Sequence, residues 1–141
     1  MSKGNASAAA PLVKASNGDA LIEIHDLNKH FNLGGGQILK AVSDVNLKIG
    51  RGETLGVVGE SGCGKSTMGR TVMRLYEPTS GNVMFDGKSL YDLKGSEMKA
   101  VRRDMQMIFQ DPYASLNPRM TITDVIGEAL DIHKLAGSRA E

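Results

Sequence analysis

The stretch GESGCGKST, from Gly59 to Thr67, decides the fold of this chain. It matches the pattern G-x-x-x-x-G-K-[ST], which is typical of a loop that wraps the phosphates of a nucleotide. The apolar run TLGVVG precedes the loop and predicts a strand buried on both faces, as parallel strands are. After the loop, Met68, Val72 and Leu75 recur with the spacing of one helix face. Strand, loop and helix in this order predict a phosphate-binding α/β fold.

Each residue type in this phosphate loop suits the binding of an anion. Its glycines have no Cβ, so the backbone N–H groups can turn tightly and approach phosphate oxygens. Lys65 supplies a point charge to the β and γ phosphates, the Ser66 hydroxyl is placed to ligate Mg²⁺, and Thr67 can donate to a nearer phosphate. The nucleotide-binding residues predicted in the loop are Gly59, Glu60, Ser61, Gly62, Cys63, Gly64, Lys65, Ser66 and Thr67.

Cys63 is the single cysteine of the chain, and it lies inside the loop. An internal disulfide is therefore impossible, which indicates a reducing compartment. One interpretation of Cys63 is a small filler whose side chain points away from the nucleotide. The other is a thiol that the helix dipole and Lys65 make reactive.

Upstream of the phosphate loop, the sequence predicts a tail and two strands joined by a loop. Residues 1–20 are small and polar and predict a mobile tail. LIEIHDL alternates apolar and polar residues and predicts a first strand, and AVSDVNLKI predicts a second. Between them, NKHFNLGGGQ contains three glycines and predicts a loop.

Downstream of the loop, turn signals separate several short elements. The Asp86-Gly87 pair predicts a turn and antiparallel pairing. Thr121 and Asp124 have the spacing of a capping box and predict the start of a helix. The segments predicted here are a charged helix over SEMKAVRRDM, a buried strand over MQMIF, a loop over QDPYASLNPRM and a helix over TITDVIGEALDIHKL.

The composition is that of an ordinary single domain. Apolar residues make up 40% and charged residues 23% of the 141 residues, and the net charge is +1. This balance does not indicate a broad nucleic-acid-binding face. No apolar run approaches the length of about eighteen residues that a membrane span needs. The composition therefore favours a soluble chain.

The segments GETLGVVGESGCGKSTMGRTVMRLYEPTSGNVMFDG and MQMIFQDPYASLNPRMTI resemble the ATP-binding subunits of ABC transporters. The resemblance covers roughly Leu21 to Leu135. It is strongest to subunits of bacterial oligopeptide and dipeptide importers, a group that includes nickel and glutathione importers. Many NTPases share the phosphate loop, whereas FQDPYASLNPR is far more restricted and carries most of the assignment.

The resemblance implies further site residues. Phe31 matches an aromatic residue that stacks on adenine; packing in the core is the alternative. Gln110 matches a glutamine loop, in which the amide ligates Mg²⁺ and orients the attacking water; an ordinary polar residue at the end of a strand is the alternative. Lys65 and Gln110 are thus the expected catalytic residues. Residues 112–141 match the start of a helical subdomain that docks on the permease.

The implied fold is the α/β P-loop NTPase core of an ABC-type ATPase, with an antiparallel β part, over residues 21–141. The implied function is MgATP binding that energises peptide import. The implied partners are permease transmembrane subunits, a second ATP-binding subunit in a homo- or heterodimer and, indirectly, an extracytoplasmic substrate-binding protein. The implied location is cytoplasmic, peripheral on the inner face of the cell membrane.

Three motifs of the family do not occur in the 141 residues: an LSGGQ-like signature loop, an apolar strand ending in Asp-Glu, and a switch histidine. The GGGQ at Gly34 lacks the preceding Leu-Ser. The expectation is an incomplete, truncated ATPase domain that binds ATP and hydrolyses it slowly, since the general base is missing. The alternatives are a non-catalytic remnant that binds nucleotide without hydrolysis or another P-loop enzyme, although the guanine-reading N-K-x-D is absent.

Overall fold

The computed structural model describes residues 20–111 and 116–135. The tail predicted over residues 1–20 lies outside the described residues except for Ala20, where the first strand begins. Residues 112–115 and 136–141 of the predicted helical subdomain also lie outside them. The chain divides into two compact units, Met1–Lys94 and Gly95–Glu141, each of which is described by itself.

The first unit contains an antiparallel sheet of four strands in the order β2-β1-β3-β4. One helix, α1, follows the phosphate loop and contacts β1 and β2. The two sequence segments predicted as first and second strands form β1 and β2, and both strands are longer than predicted. The element bounds are β1 Ala20–Gly34, β2 Gln37–Gly50, α1 Lys65–Val72, β3 Ser80–Phe85 and β4 Lys88–Ser89.

Both hairpins of the sheet use two-residue turns with positive φ. Between β1 and β2, Gly35 and Gly36 have φ values of 58° and 78°. This geometry matches the twist of the strands it joins, so pairing continues to the turn. The loop predicted over NKHFNLGGGQ is therefore wrong in length: only two residues leave the ladder. Between β3 and β4, Asp86 and Gly87 adopt φ values of 48° and 73°, and the predicted antiparallel pairing is confirmed.

A polar network holds the irregular middle of the β1–β2 pair. The register shifts near Leu27, and both Asp26 and Asp44 adopt positive φ there, at 46° and 48°. The Asp26 N–H donates to Asn46 Oδ1 at 2.9 Å, and the Asp44 N–H donates to Asn28 Oδ1 at 3.0 Å. These amide side chains replace partners that the bulged ladder no longer provides.

The buried core of the first unit is formed by residues of β1, β2 and β3 together with Thr71 and Leu90. Thr71 on α1 is fully buried and donates through Oγ1 to the Thr67 carbonyl at 2.8 Å. Arg74 donates through Nη1 to the carbonyls of Leu90 and Leu93 at 2.7 and 2.8 Å. These bonds anchor the C-terminal end of α1. The buried apolar side chains of the unit are Ile24, Leu27, Val42, Val83, Phe85 and Leu90.

Tyr91 makes the stability of the first unit fall when the pH rises into the alkaline range. Its hydroxyl donates to the Thr71 carbonyl at 2.8 Å. Burial, together with the nearby Glu77 carboxylate, raises the pKa of Tyr91 to about 12. The unfolded chain loses this proton near the ordinary value of about 10, whereas the folded chain keeps it longer. The stabilisation is therefore complete below pH ~10 and is lost as the pH rises towards ~12.

We expect the free energy of unfolding to fall between pH ~10 and ~12. In Tyr91→Phe, which has no hydroxyl to titrate, the free energy of unfolding should fall less steeply with pH. Urea titrations at several pH values between about 9 and 12 measure both quantities. Equal slopes for the two proteins would contradict the assignment to Tyr91.

Two predicted strands do not form. TLGVVG is irregular, and its Val57 and Val58 side chains are 46% and 93% exposed. MQMIF is also irregular, with Ile108 97% exposed. An apolar run becomes a strand only when a neighbouring backbone pairs with it, and within residues 20–111 and 116–135 neither run has such a partner.

The second unit contains two helices in its described part, α2 at Gly95–Val101 and α3 at Ile122–His133. The predicted capping box is confirmed: the Asp124 N–H donates to Thr121 Oγ1 at 3.2 Å, and the Thr121 N–H donates to Asp124 Oδ2 at 3.3 Å. The helix predicted over SEMKAVRRDM forms as α2 and ends at Val101. Among the described residues, no helix combines the length and the apolar character needed to cross a bilayer.

Candidate functional site

The phosphate loop takes a conformation that only glycine adopts readily at two positions. Gly62 has φ +80° and Gly64 has φ +98°, both in the left-handed region. The turn closes through a hydrogen bond from the Cys63 N–H to the Glu60 carbonyl at 3.4 Å, and α1 then begins at Lys65. The first bond of the helix runs from the Met68 N–H to the Gly64 carbonyl at 2.8 Å.

The N-terminus of α1 is suited to an anion. The first N–H groups of any helix have no partner within the helix and carry the positive end of its dipole. In α1, which lies wholly within the described residues, Gly64 provides no side-chain cap, and no acidic residue occupies the first turn. A phosphate group is a fitting partner for these free donors.

The Lys65 ammonium lies inside the loop. Its Nζ donates to the Gly59 carbonyl at 2.8 Å and to the Glu60 carbonyl at 2.7 Å. The two carbonyls hold the cation above the turn that the glycines form. The sequence predicted a fixed positive charge at this place, and the geometry is consistent with that prediction.

Cys63 is exposed, and its sulfur lies close to Lys65 and Gly59. The Lys65 Nζ is 3.5 Å from the Cys63 Sγ. A Cβ at position 59 would come within 2.8 Å of the same sulfur, so glycine at Gly59 is what admits the thiol. Cys63 thus occupies the space of the side chain that Gly59 lacks.

The loop meets the sheet at a bulge in β2. The register of β1 and β2 passes from His30 opposite Lys40 to Lys29 opposite Val42, so Ala41 is the extra residue. Gly64 approaches this bulge so closely that a Cβ would lie 2.1 Å from the Ala41 oxygen. A side chain at position 64 is therefore excluded by contact as well as by φ.

Phe31 lies near the same stretch of β2. It pairs with Leu39, two residues before Ala41, which the phosphate loop approaches. Because two strand residues span only about 7 Å, the topology brings the predicted base-stacking residue and the phosphate loop to one region of the first unit. The ring is half-buried, and its stacking role stays a prediction.

Two neighbours of Phe31, Tyr76 and Lys29, and the Arg70 side chain that contacts Tyr76 were not predicted from the sequence. The Phe31 and Tyr76 rings meet edge to face, with centroids 5.7 Å apart and planes at 89°. The Lys29 Nζ lies 4.9 Å from the Phe31 centroid, and Arg70 Nη1 donates to the Tyr76 hydroxyl at 3.2 Å. The i, i+2 spacing on a strand could have identified Lys29, but no local pattern connects Phe31 with Tyr76.

The remaining predicted residues lie as follows. Gln110 belongs to the second unit, is exposed, and stands at a bend that ends the irregular run MQMIF. Its catalytic and metal-ligand roles stay predictions. In the phosphate loop, Ser66 is exposed at the second position of α1, and Thr67 is partly buried. Glu60 and Ser61 are exposed.

Comparison with known proteins identifies the family. The model of the family described as "ABC transporter" matches residues 42–140, more than half of the chain. The oligopeptide transport ATP-binding protein OppF of Bacillus subtilis is 55% identical over 124 residues, which are 87% of this chain and 40% of that protein. OppF of Escherichia coli is 51% identical over 129 residues, or 86% of this chain and 39% of that protein. The chain thus spans about two fifths of the length of these relatives.

A solved structure shows the same fold. The dimeric post-hydrolysis state of the ATP-binding cassette MJ0796, bound to ADP and Pi, matches with a TM-score of 0.72 and 30% sequence identity. The match covers 83% of this chain and 50% of that chain. The predicted fold class, an ABC-type ATPase fold with an antiparallel sheet and helices, is confirmed as a partial domain. The chain belongs to the ABC transporter family.

Proposed function

We propose that this chain is the nucleotide-binding part of an ATP-binding subunit that energises peptide import through an ABC permease. The phosphate loop holds the triphosphate of MgATP, and Phe31 stacks on the adenine. Ser66 contributes its hydroxyl to the Mg²⁺ that the nucleotide brings. For Gln110, the match to the glutamine loop supports a role as a Mg²⁺ ligand that also orients the attacking water.

The observation that carries this proposal is the pairing of a cation with an uncapped helix N-terminus in one loop. Lys65 Nζ is held by two carbonyls of the loop, and the free N–H groups of α1 begin at the same residue. A triphosphate offers negative oxygens to both kinds of donor at once. A glycine-rich turn that binds no ligand does not require both a lysine cation and an uncapped helix N-terminus.

The peptide, the partners and the location are proposed from the relatives. The two OppF proteins are named for oligopeptide transport, and the matched cassette is a dimer. We propose permease transmembrane subunits and a second ATP-binding subunit as partners, at the inner face of the cell membrane. Loss of the gene should abolish uptake of peptides and leave uptake of free amino acids intact. Unchanged peptide uptake would exclude this transport role while leaving nucleotide binding open.

Adenine should be recognised mainly by stacking and not by hydrogen bonds to the base edge. Phe31→Ala is therefore expected to weaken MgATP and MgGTP binding alike, by about 1–3 kcal/mol. The unsubstituted chain should bind the two nucleotides within about tenfold of each other. Phe31→Tyr keeps the ring and should keep the affinity. Calorimetric titration measures the nucleotide affinities of the unsubstituted chain, Phe31→Ala and Phe31→Tyr. Normal ATP binding by Phe31→Ala would show that Phe31 only packs against its neighbours and does not stack on the base.

A further inference from the structure

Two rings and two cations form a cluster on the first unit, which we call the ring cluster: Lys29, Phe31, Arg70 and Tyr76. The Lys29 Nζ lies 4.9 Å from the Phe31 centroid and 6.0 Å from the Tyr76 centroid. The Arg70 guanidinium carbon lies 5.8 Å from the Tyr76 centroid. Cations at these distances are attracted to the faces of aromatic rings.

Each neighbour of Phe31 is itself fixed by a hydrogen bond. Lys29 Nζ donates to the Glu77 carbonyl at 2.8 Å. The Tyr76 hydroxyl accepts from Arg70 Nη1 at 3.2 Å, and the Tyr76 N–H donates to the Arg70 carbonyl at 3.3 Å. The perpendicular Tyr76 ring and the Lys29 ammonium therefore restrict the Phe31 ring from two directions.

The ring cluster is connected to the phosphate loop through α1. Arg70 lies in the last turn of this helix, whose first residue is Lys65. Lys65 and Arg70 lie five residues apart on this helix, a rise of about 7.5 Å, so the backbone positions that carry the phosphate-binding lysine and the arginine that holds Tyr76 keep a fixed separation. A ligand with an anionic end and an aromatic end fits this arrangement.

We propose that Tyr76 and Lys29 are positioning residues for the base of the nucleotide: they hold the Phe31 ring in the orientation in which adenine stacks on it. This inference rests on the proposed function. Immobilising a free side chain on binding costs affinity, so a ring that is already fixed binds a base more tightly. Neither residue has to touch the nucleotide.

The experiment compares MgATP with magnesium tripolyphosphate, which has the phosphates and no base, by calorimetric titration on the full chain. Tyr76→Ala should weaken MgATP binding about three- to tenfold, the scale of one aromatic pair, and leave tripolyphosphate binding unchanged. Lys29→Met, which keeps an apolar side chain of similar length, should weaken MgATP about threefold. Tyr76→Phe retains the ring but removes the hydroxyl that accepts from Arg70, so it should weaken MgATP binding less than Tyr76→Ala does.

A double substitution separates positioning from general stability. In a Phe31→Ala chain, adding Tyr76→Ala should cause no further loss, because the ring that Tyr76 positions is gone. Equal weakening of both ligands by Tyr76→Ala, or independent losses in the double variant, would overturn the positioning role. If Tyr76→Ala fails to fold, Lys29→Met is tested instead: weaker MgATP binding with unchanged tripolyphosphate binding supports the positioning role, and equal weakening of both ligands overturns it. Failure of the unsubstituted chain to bind either ligand overturns the proposed function itself.

Discussion

Gly81→Ala is expected to destabilise the first unit by about 2–6 kcal/mol, which is a large part of the ~5–15 kcal/mol free energy of unfolding of a typical domain. Gly81 lies on β3 with φ +90°, where an L-residue is strained. A Cβ there would lie 2.3 Å from the Asp26 oxygen and 2.6 Å from the Leu27 Cα. Both contacts are with the backbone of β1, so no side chain can move aside.

Gly87 provides a matched control for this effect. It stands just after β3, has φ +73°, and a Cβ there would meet nothing within 4 Å. Gly87→Ala should therefore show the strain of positive φ alone, about 1–3 kcal/mol. Urea unfolding of both variants measures the difference, which is the cost of the contact with β1. Equal losses would show that the backbone approach at Gly81 is not rigid.

The sequence was informative wherever local chemistry determines local structure. The glycine-rich loop, the helix after it, the Asp86-Gly87 turn and the Thr121 capping box all depend on residues within a few positions of each other. The loop, the turn and the capping box appear in the structure at the predicted places. The helix also forms, but it ends at Val72, so Leu75 of the predicted helix face lies beyond it and is 46% exposed. The predicted role of the loop in nucleotide binding rests on the same local pattern.

The failures have a common physical cause. TLGVVG and MQMIF are apolar and β-branched or methionine-rich, but strand formation depends on a pairing partner that a local pattern does not specify. In NKHFNLGGGQ the opposite error occurred, because glycines that form a two-residue turn were interpreted as a long loop. The ring cluster joins Phe31 to Tyr76, far apart in sequence, and only the folded sheet and helix bring them together.

Lys65→Ala is expected to weaken MgATP binding by at least about 100-fold. The substitution removes the charge predicted to contact the β and γ phosphates, and a hydrogen bond to a charged group contributes roughly 1.5–3 kcal/mol. It also removes the donor that joins the carbonyls of Gly59 and Glu60, so the loop loses its internal connection. Both effects act in the same direction on nucleotide affinity.

Lys88→Ala is the control for a general change of charge, because Lys88 is an exposed lysine on the edge strand β4. It lowers the net charge by the same amount and should leave nucleotide affinity within about twofold. Circular dichroism of each variant establishes that the fold is retained before affinities are compared.

Calorimetric titration of MgATP into the unsubstituted chain, Lys65→Ala and Lys88→Ala tests most directly whether this loop is a nucleotide site. Binding through the phosphate loop predicts saturable binding by the unsubstituted chain and by Lys88→Ala, with a loss of at least about 100-fold in Lys65→Ala. Equal affinity of all three folded proteins, or no binding by the unsubstituted chain, would contradict it.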